Sequence, residues 1–108
     1  MPQPKTTNQR LIPALTIKQP WAQAAATKLK RFENRTWGFS VDKLPLCIAI
    51  HAGLSEDSKG MEFCSQYHMS TRKLTHGAII ALATVTQFCS GSPDPWFSGP
   101  IGWQLEHV

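Results

Sequence analysis

A chain of 108 residues is long enough for one domain with a real hydrophobic core and too short for two domains of ordinary size. Its 42% hydrophobic and 17% charged residues are typical of a globular protein and argue against wholesale disorder. No apolar run approaches the roughly eighteen residues that a membrane-spanning helix needs, and the polar residues 1–10 do not resemble a signal peptide, so we expect no membrane association and a cytoplasmic location.

The net charge of +4 is concentrated in the first part of the chain. Residues 1–43 carry eight Lys or Arg and two acidic residues, a net charge of +6, whereas residues 44–108 carry three bases and five acids, a net charge of −2. This distribution favours an anionic partner. On charge alone, an excess of lysine that only improves solubility is an equally good explanation.

The cysteines do not indicate a disulfide framework. Cys47, Cys64 and Cys89 are widely spaced, odd in number and without a Cys-x-x-Cys pattern, which fits a reducing compartment. Cys64 and His68 are four residues apart on a predicted helix, a spacing that suits a metal, but core packing is the better interpretation without a second pair of ligands. We therefore predict no metal and no other cofactor.

The first half of the chain predicts a leader, a strand, a helix and a second strand. Residues 1–12 are expected to be a flexible leader to a domain that spans residues 13–108. Residues 13–17 have β character. A helix is predicted from about Pro20, since proline is tolerated at the first helical position. Its apolar positions form one narrow stripe: Ala22, Ala25, Ala26 and Leu29.

The second strand is predicted from alternation over residues 31–37. Successive side chains of a strand point to opposite faces, so four side chains share one face: Arg31, Glu33, Arg35 and Trp37. Residues 44–52 form a third, apolar strand that includes His51 near its end.

The second half predicts a helix and two more strands. Ser55 is a plausible N-cap for a helix that runs to about His68. Residues 77–88 form the strongest strand pattern and are expected to be the most buried. Residues 90–100 read as a loop and residues 102–108 as a last short strand. Strands predominate with two helices between them, which predicts an α+β domain built as a small barrel or open sheet.

The candidate site lies within residues 18–37. From this segment, three cations, one carboxylate and two flat aromatic rings are the candidates: Lys18, Lys30, Arg35, Glu33, Trp21 and Trp37. Because a strand, a short helix and a second strand carry them, these side chains can converge on one cleft. A cleft of this composition suits a polyanion that carries flat bases, meaning a nucleic acid or a nucleotide.

Each residue of the segment also has a structural interpretation. Lys18 and Gln19 lie at the junction of strand and helix, where an anion can bind, although Lys18 is also a plausible surface lysine. Glu33 and Arg35 are either a surface ion pair or part of a pocket, and the flanking Lys30 favours the pocket. In a pocket, Glu33 would accept hydrogen bonds from a base edge or act as a general base.

Tryptophan and histidine supply the remaining candidates. Trp21 in the helix and Trp96 in the loop are candidates for base stacking, whereas Trp103 in the final strand is expected in the core. Trp37 is a further candidate for stacking. His51 is predicted as a wall contact of the same region, since a lone histidine is more often a hydrogen-bonded wall residue than a catalyst.

Four separated motifs, in this order, resemble the activating-signal-cointegrator homology (ASCH) domain. They are Ile17-Lys18-Gln19-Pro20-Trp21-Ala22, Lys30-x-x-Glu33-x-Arg35-x-Trp37, Ile50-His51-Ala52 and Gly99-Pro100-x-Gly102-Trp103. The resemblance covers residues 15–105. It implies a small β-barrel of the PUA-like superfamily, with about five to six strands and two helices, and RNA binding in a cleft between the motif helix and the barrel.

Some ASCH domains are hydrolases, either amidohydrolases that act on acylated cytidine or ribonucleases. Lys30 and Arg35 match two positions of the amidohydrolase segment, but Glu33 stands where that branch has a threonine nucleophile. Relatives also commonly continue with another strand, whereas this sequence ends at Val108. The resemblance therefore predicts a barrel that is closed differently, has an exposed edge, or is completed by a second subunit in a homodimer.

The sequence as a whole predicts a domain that binds RNA or a nucleotide-like ligand. Two alternatives stay open. One is a small hydrolase of a modified nucleoside or of RNA, with Lys30 and Glu33 as its proton-transfer pair. The other is a non-catalytic protein-interaction module.

Overall fold

The computed structural model describes residues 11–108, so most of the predicted leader, residues 1–12, lies outside the described residues. Five strands, two helices and one 3₁₀ turn make up the described part. Their bounds are β1 Ala14–Gln19, α1 Trp21–Ala26, β2 Phe32–Arg35, the 3₁₀ turn Val41–Lys43, β3 Leu46–Glu56, α2 Ser58–Ser65, β4 Ala78–Cys89 and β5 Ile101–Glu106.

The five strands form one mixed sheet in the order β1-β3-β4-β5-β2. β1 runs parallel to β3, and the other neighbouring pairs are antiparallel. β1 and β2 are therefore the two edges. The predicted α+β fold with two helices is confirmed. The sheet is open, because β1 and β2 are not paired with each other in the described part, and its closure into a barrel is not confirmed.

The main core lies on one side of β3, β4 and β5. Ile48 and Ile50 of β3, Val85 of β4 and Leu105 of β5 are buried there. Burying each of these aliphatic side chains contributes roughly 1.5–3 kcal/mol relative to leaving it in water. Trp103 of β5 is also buried, as expected from the sequence.

Helix α1 packs against this core through very small side chains. Ala22 and Ala25 are fully buried, which lets the helix backbone lie close to the sheet. The helix ends at Ala26, earlier than the predicted stripe, because Lys28 adopts a left-handed backbone conformation with φ of 70°. The backbone N–H groups of Leu29 and Lys30 then donate to the carbonyl of Ala24, each over 3.0 Å. This reversal brings Lys30 into the interior.

Two predictions for the second half of the chain were wrong. The N-cap of α2 is Asp57 and not Ser55, because β3 continues to Glu56 and leaves Ser55 within the strand. β4 is less buried than β3, since only Ala83 and Val85 among its residues are buried. Successive side chains of a strand point to opposite faces, and in β4 only one face meets the core.

Candidate functional site

A cleft with a volume of about 560 Å³ lies between the two edge strands of the sheet. β1 and β2 line it from opposite sides, and Trp21 of α1, Asp57 and Phe63 of the α2 region, and the loop before β5 complete it. Both edges of an open sheet can line one cleft only if the sheet curves. The strand, helix and strand of the candidate segment therefore do converge, as their order along the chain suggested.

The polar side of the cleft is an ion-paired triad of Lys30, Glu33 and Arg35. The Nζ of Lys30 donates to Oε1 of Glu33 over 2.8 Å and to the carbonyl of Phe32. The Nε of Arg35 donates to Oε2 of Glu33 over 2.9 Å. Lys30 is only 4% exposed and Glu33 only 6% exposed, so both charges are removed from water. Glu33 is thus the shared counter-ion of two cations.

Burial of Lys30 has an electrostatic consequence. Loss of hydration lowers the pKa of Lys30 from its ordinary value of 10.5, and attraction to Glu33 opposes that shift without cancelling it. An ammonium in this position is poised to give up a proton more readily than a surface lysine. Such a group in a cleft is characteristic of functional sites, although structural ion pairs also have perturbed pKa values.

Arg35 also connects the two edges of the sheet. Its Nη2 donates to the backbone carbonyl of Thr16 over 3.1 Å, while its Nε holds Glu33. Thr16 lies in β1 and Arg35 in β2, so this side chain spans the cleft at one point. The contact fixes the separation of the two walls.

The aromatic side of the cleft is built around Trp21 and Trp96. Their rings meet edge to face, with centroids 6.2 Å apart, and Phe63 and Tyr67 each lie 4.8 Å from the Trp96 ring. Trp96 is only 7% exposed. It therefore lines the cleft as part of a packed cluster, in the loop where the sequence predicted a base-stacking residue.

Asp57 holds Trp21 in place. The indole Nε1 of Trp21 donates to Oδ2 of Asp57 over 3.0 Å, while Oδ1 caps α2 by accepting from the backbone N–H groups of Lys59 and Gly60. The Trp21 hydrogen bond is the main cause that lowers the pKa of Asp57 from its ordinary value of 3.8. One carboxylate thus joins both helices at the cleft.

Asn34 fixes the loop that carries Trp96. Its side-chain oxygen accepts from the backbone N–H groups of Ser98 and Gly99 over 2.9 and 3.1 Å, and its Nδ2 donates to the carbonyl of Trp96 over 3.1 Å. The loop before β5 is therefore held against β2. Both Asn34 and Ser98 line the cleft.

The structure brings together six of the nine predicted site residues. Those that line the cleft are Lys18, Trp21, Lys30, Glu33, Arg35 and Trp96. Three do not line it. Gln19 is one of them, because it is fully buried. Its side-chain oxygen accepts from the backbone N–H of Gln23, and its Nε2 donates to the carbonyl of Thr75.

Trp37 and His51 lie beside the cleft rather than on its walls. β2 ends at Arg35, so the predicted alternation does not extend to Trp37, which is 50% exposed and packs edge to face on Trp103 at 4.9 Å. His51 is opposite Thr16 in the neighbouring strand, and its Nδ1 lies 3.1 Å from the Thr16 hydroxyl. His51 thus approaches the cleft only through Thr16.

Sequence reasoning missed several residues of the cleft. Asp57, Phe63, Pro95 and Ser98 come from segments twenty or more residues after the motif, and only the fold brings them to it. Of these four, only Asp57 had a recognisable sequence signal, since aspartate is a preferred N-cap and indicates where a helix begins. The alternation predicted over residues 31–37 placed Asn34 on the strand face opposite Glu33 and Arg35.

Neither a cluster of metal ligands nor a membrane-spanning helix is found among residues 11–108. Within that range no three His, Cys, Asp or Glu side chains come together as metal ligands would. None of the helices described there is both long and apolar enough to cross a bilayer.

The sequence matches no protein-family model. No curated protein is similar enough to it to indicate a relationship. The function is therefore inferred from the residues and the geometry of the cleft.

Proposed function

We propose that this chain is an ASCH-like domain that binds single-stranded RNA or a nucleotide-like ligand in the cleft between β1 and β2. One observation carries the proposal: three cations and two tryptophans line a single cavity. A volume of about 560 Å³ lies within the roughly 300–1,000 Å³ of typical small-ligand sites. The cavity therefore accommodates one nucleotide unit rather than a duplex.

The charges of the cleft support an anionic ligand. Lys18, Lys30 and Arg35 face two carboxylates, Glu33 and Asp57, which leaves a net charge of +1 when all are ionised. Lys18 is exposed and has no ion pair within 4.0 Å in the described part of the chain. We assign it the contact with a phosphate at the mouth of the cleft, where the phosphate keeps part of its hydration.

The aromatic wall supports a flat base. The hydrogen bond from Trp21 to Asp57 fixes the indole before any ligand arrives, so little side-chain entropy is lost on binding. Stacking of a base on such a ring contributes roughly 1–3 kcal/mol. The proposal includes a PUA-like barrel. In a closed barrel β1 and β2 would be paired, and the hydrogen bond from Arg35 to Thr16 bridges these two edges.

Tryptophan fluorescence tests the proposal. Single-stranded RNA is titrated into the protein at two salt concentrations, with Lys18→Ala as the test variant and Lys43→Ala as its matched control. Lys43 is an exposed lysine of the 3₁₀ turn, away from the cleft, and its loss changes the net charge equally. We expect salt-sensitive quenching that Lys18→Ala weakens and Lys43→Ala retains.

Two results would contradict binding in this cleft. Equal weakening of RNA binding in the two lysine variants would mean that binding depends only on the net charge of the protein. No response to RNA or to free nucleotides would favour the interaction module.

A hydrolase is a second candidate because Lys30 is buried, has a lowered pKa and pairs with Glu33 in the cleft. Lys30 and Glu33 would be its proton-transfer pair, acting on a modified nucleoside or on RNA. Assays of acylated cytidine and RNA with wild type and Glu33→Gln test it. A hydrolase loses orders of magnitude in kcat/KM in Glu33→Gln, whereas a binding protein shows no turnover in either form.

A further inference from the structure

The ammonium of Lys30 has one more donor than the protein satisfies. A lysine ammonium carries three N–H groups. Two of them donate to the carbonyl of Phe32 and to Oε1 of Glu33, and no other acceptor in residues 11–108 lies within hydrogen-bond distance. Lys30 is 96% buried and lines the cleft. Because buried donors are nearly always paired with an acceptor on protein or water, a ligand that fills the cleft must offer this N–H an acceptor.

Glu33 retains acceptor capacity beside that donor. An ionised carboxylate offers about four lone-pair positions on two oxygens, and Lys30 and Arg35 occupy one on each oxygen. Oε1 of Glu33 lies 2.8 Å from Nζ of Lys30. A donor and an acceptor, both on buried side chains, are therefore adjacent in the cleft that Trp21 and Trp96 also line.

We propose that Lys30 and Glu33 together recognise the lactam edge of a heterocyclic base, meaning a ring carbonyl next to a ring N–H, as in uracil and hypoxanthine. Lys30 donates to the ring carbonyl, and Glu33 accepts from the neighbouring N–H. Adenine offers an amino group and a bare ring nitrogen at the same edge, so it places a donor against the ammonium. This inference rests on the proposed function and names its ligand class.

A phosphate oxygen is the other chemical source of an acceptor for Lys30. The burial of Lys30 argues against it, because a phosphate that reaches a side chain only 4% exposed would lose most of its hydration. A neutral carbonyl costs far less to bury. Lys18, which is exposed, suits the phosphate better.

Three nucleoside 5′-monophosphates test the proposal on the wild-type protein. Inosine, 1-methylinosine and adenosine monophosphates share the same phosphate and ribose, so differences in Kd report on the base edge. We expect the inosine compound to bind about tenfold or more tightly than the adenosine compound, since a hydrogen bond to a charged group is worth at least that factor. 1-Methylinosine keeps the carbonyl but lacks the N–H donor, and its affinity should lie between them.

Lys30→Met tests whether Lys30 is responsible for the preference, and Lys43→Met is its matched control. Lys30→Met should abolish the preference for inosine while binding through the phosphate persists, and Lys43→Met should keep the preference. If Lys30→Met does not fold, the wild-type series decides alone.

Each remaining outcome overturns the proposal in a recognisable way. Equal affinities for the inosine and adenosine compounds would refute lactam recognition and leave the proposed function standing. Equal affinities together with displacement by inorganic phosphate and loss of both ligands in Lys30→Met would place phosphate at Lys30. No binding of the three nucleotides or of RNA would contradict both the inference and the function on which it rests.

Discussion

Glu33 is the side chain on which the charge balance of the cleft depends, because it is the counter-ion of both Lys30 and Arg35. A buried ion pair is not a strong source of stability in itself, since dehydration of two charges offsets most of their attraction. Removal of one partner is different, because it leaves the other charge buried and unpaired. The geometry of this triad therefore makes the fold and the site dependent on the same residue.

Glu33→Ala should lower the free energy of unfolding by about 3–5 kcal/mol, because the ammonium of Lys30 then stays buried without a counter-ion. Chemical denaturation measures this. The double variant Lys30→Met/Glu33→Leu should recover most of the loss, since Arg35 is partly exposed and water can hydrate it. Glu62→Ala, an exposed carboxylate on α2, is the control and should change stability by no more than about 0.5 kcal/mol. A loss in the double variant as large as in Glu33→Ala would contradict this account.

The Trp21–Asp57 hydrogen bond predicts a pH dependence. The native pKa of Asp57 lies below its ordinary value of 3.8, so the ionised carboxylate stabilises the fold. That contribution is complete above the ordinary pKa and is lost as the pH falls through the native pKa. Thermal unfolding of wild type and Asp57→Asn from neutral pH into acid should show a difference in Tm that is constant near neutrality and shrinks in acid. A difference that stays constant to the lowest pH would show that ionisation of Asp57 does not matter.

Helix α2 contacts α1 through a glycine, Gly60. A Cβ added at Gly60 would lie 2.8 Å from the ring of Trp21 and 3.0 Å from Cδ of Pro20. The Trp21 ring is held by a hydrogen bond and Pro20 is buried, so neither contact is the free end of a flexible side chain. The small residue is therefore what lets α2 lie against the wall of the cleft.

Gly60→Ala should destabilise the protein by about 1 kcal/mol. Alanine gains roughly 1 kcal/mol in helix propensity, but overpacking against Trp21 costs roughly 1–3 kcal/mol. Denaturation measures the balance, and a change in tryptophan emission would report displacement of the indole. Gly91→Ala is the control, because no atom lies within 4 Å of a Cβ at that position. A stabilised Gly60→Ala with unchanged emission would contradict the close packing.

Asn34 joins β2 to the loop before β5 by three hydrogen bonds. Asn34→Ala should lower stability by about 2 kcal/mol, since each bond contributes about 0.5–1.5 kcal/mol net. Hydrogen exchange should show faster exchange of the Ser98 and Gly99 amides. The Gly77 amide, which donates to Ala52 far from this loop, should keep its protection. Unchanged exchange at Ser98 would mean that the loop is held by other contacts.

Most of the cleft residues that the sequence predicted lie within residues 18–35, whereas most of those it missed come from distant segments of the chain. Lys30, Glu33 and Arg35 lie close together along the chain, and the period of a strand is enough to place Glu33 and Arg35 on one face. Trp37 was misplaced because local alternation does not reveal where a strand ends. Asp57 and Phe63 reach the cleft only through the packing of α2 on α1, which depends on contacts between distant segments.

The elements were predicted better than their burial. Alternation and apolar runs located all five strands, but Gln19 was predicted as a ligand contact although its side chain is fully buried and engaged in hydrogen bonds within the protein. Small residues such as Ala22 and Gly60 carry no pattern that identifies their packing partners. Their role follows only from the closeness of the two helices to the sheet.

Residues 11–108 fold around an open five-stranded sheet whose two edges line one cleft. Edge strands carry unpaired backbone groups that can pair with another chain. A homodimer through such an edge stays a prediction, and light scattering coupled to size exclusion gives the mass that tests it. A mass of about twice the 12.0 kDa of the chain is the expected result, and a monomer at high protein concentration would contradict it.

If the cleft between β1 and β2 is the ligand site, the four tryptophans should respond differently to RNA. Their indole N–H resonances are followed in ¹⁵N-labelled protein during titration with single-stranded RNA. We expect the resonances of Trp21 and Trp96, which line the cleft, to shift together. Those of Trp103, which is buried, and Trp37, which is exposed elsewhere, should stay in place. Shifts confined to Trp37, or no shifts at saturating RNA, would contradict the assignment of the cleft.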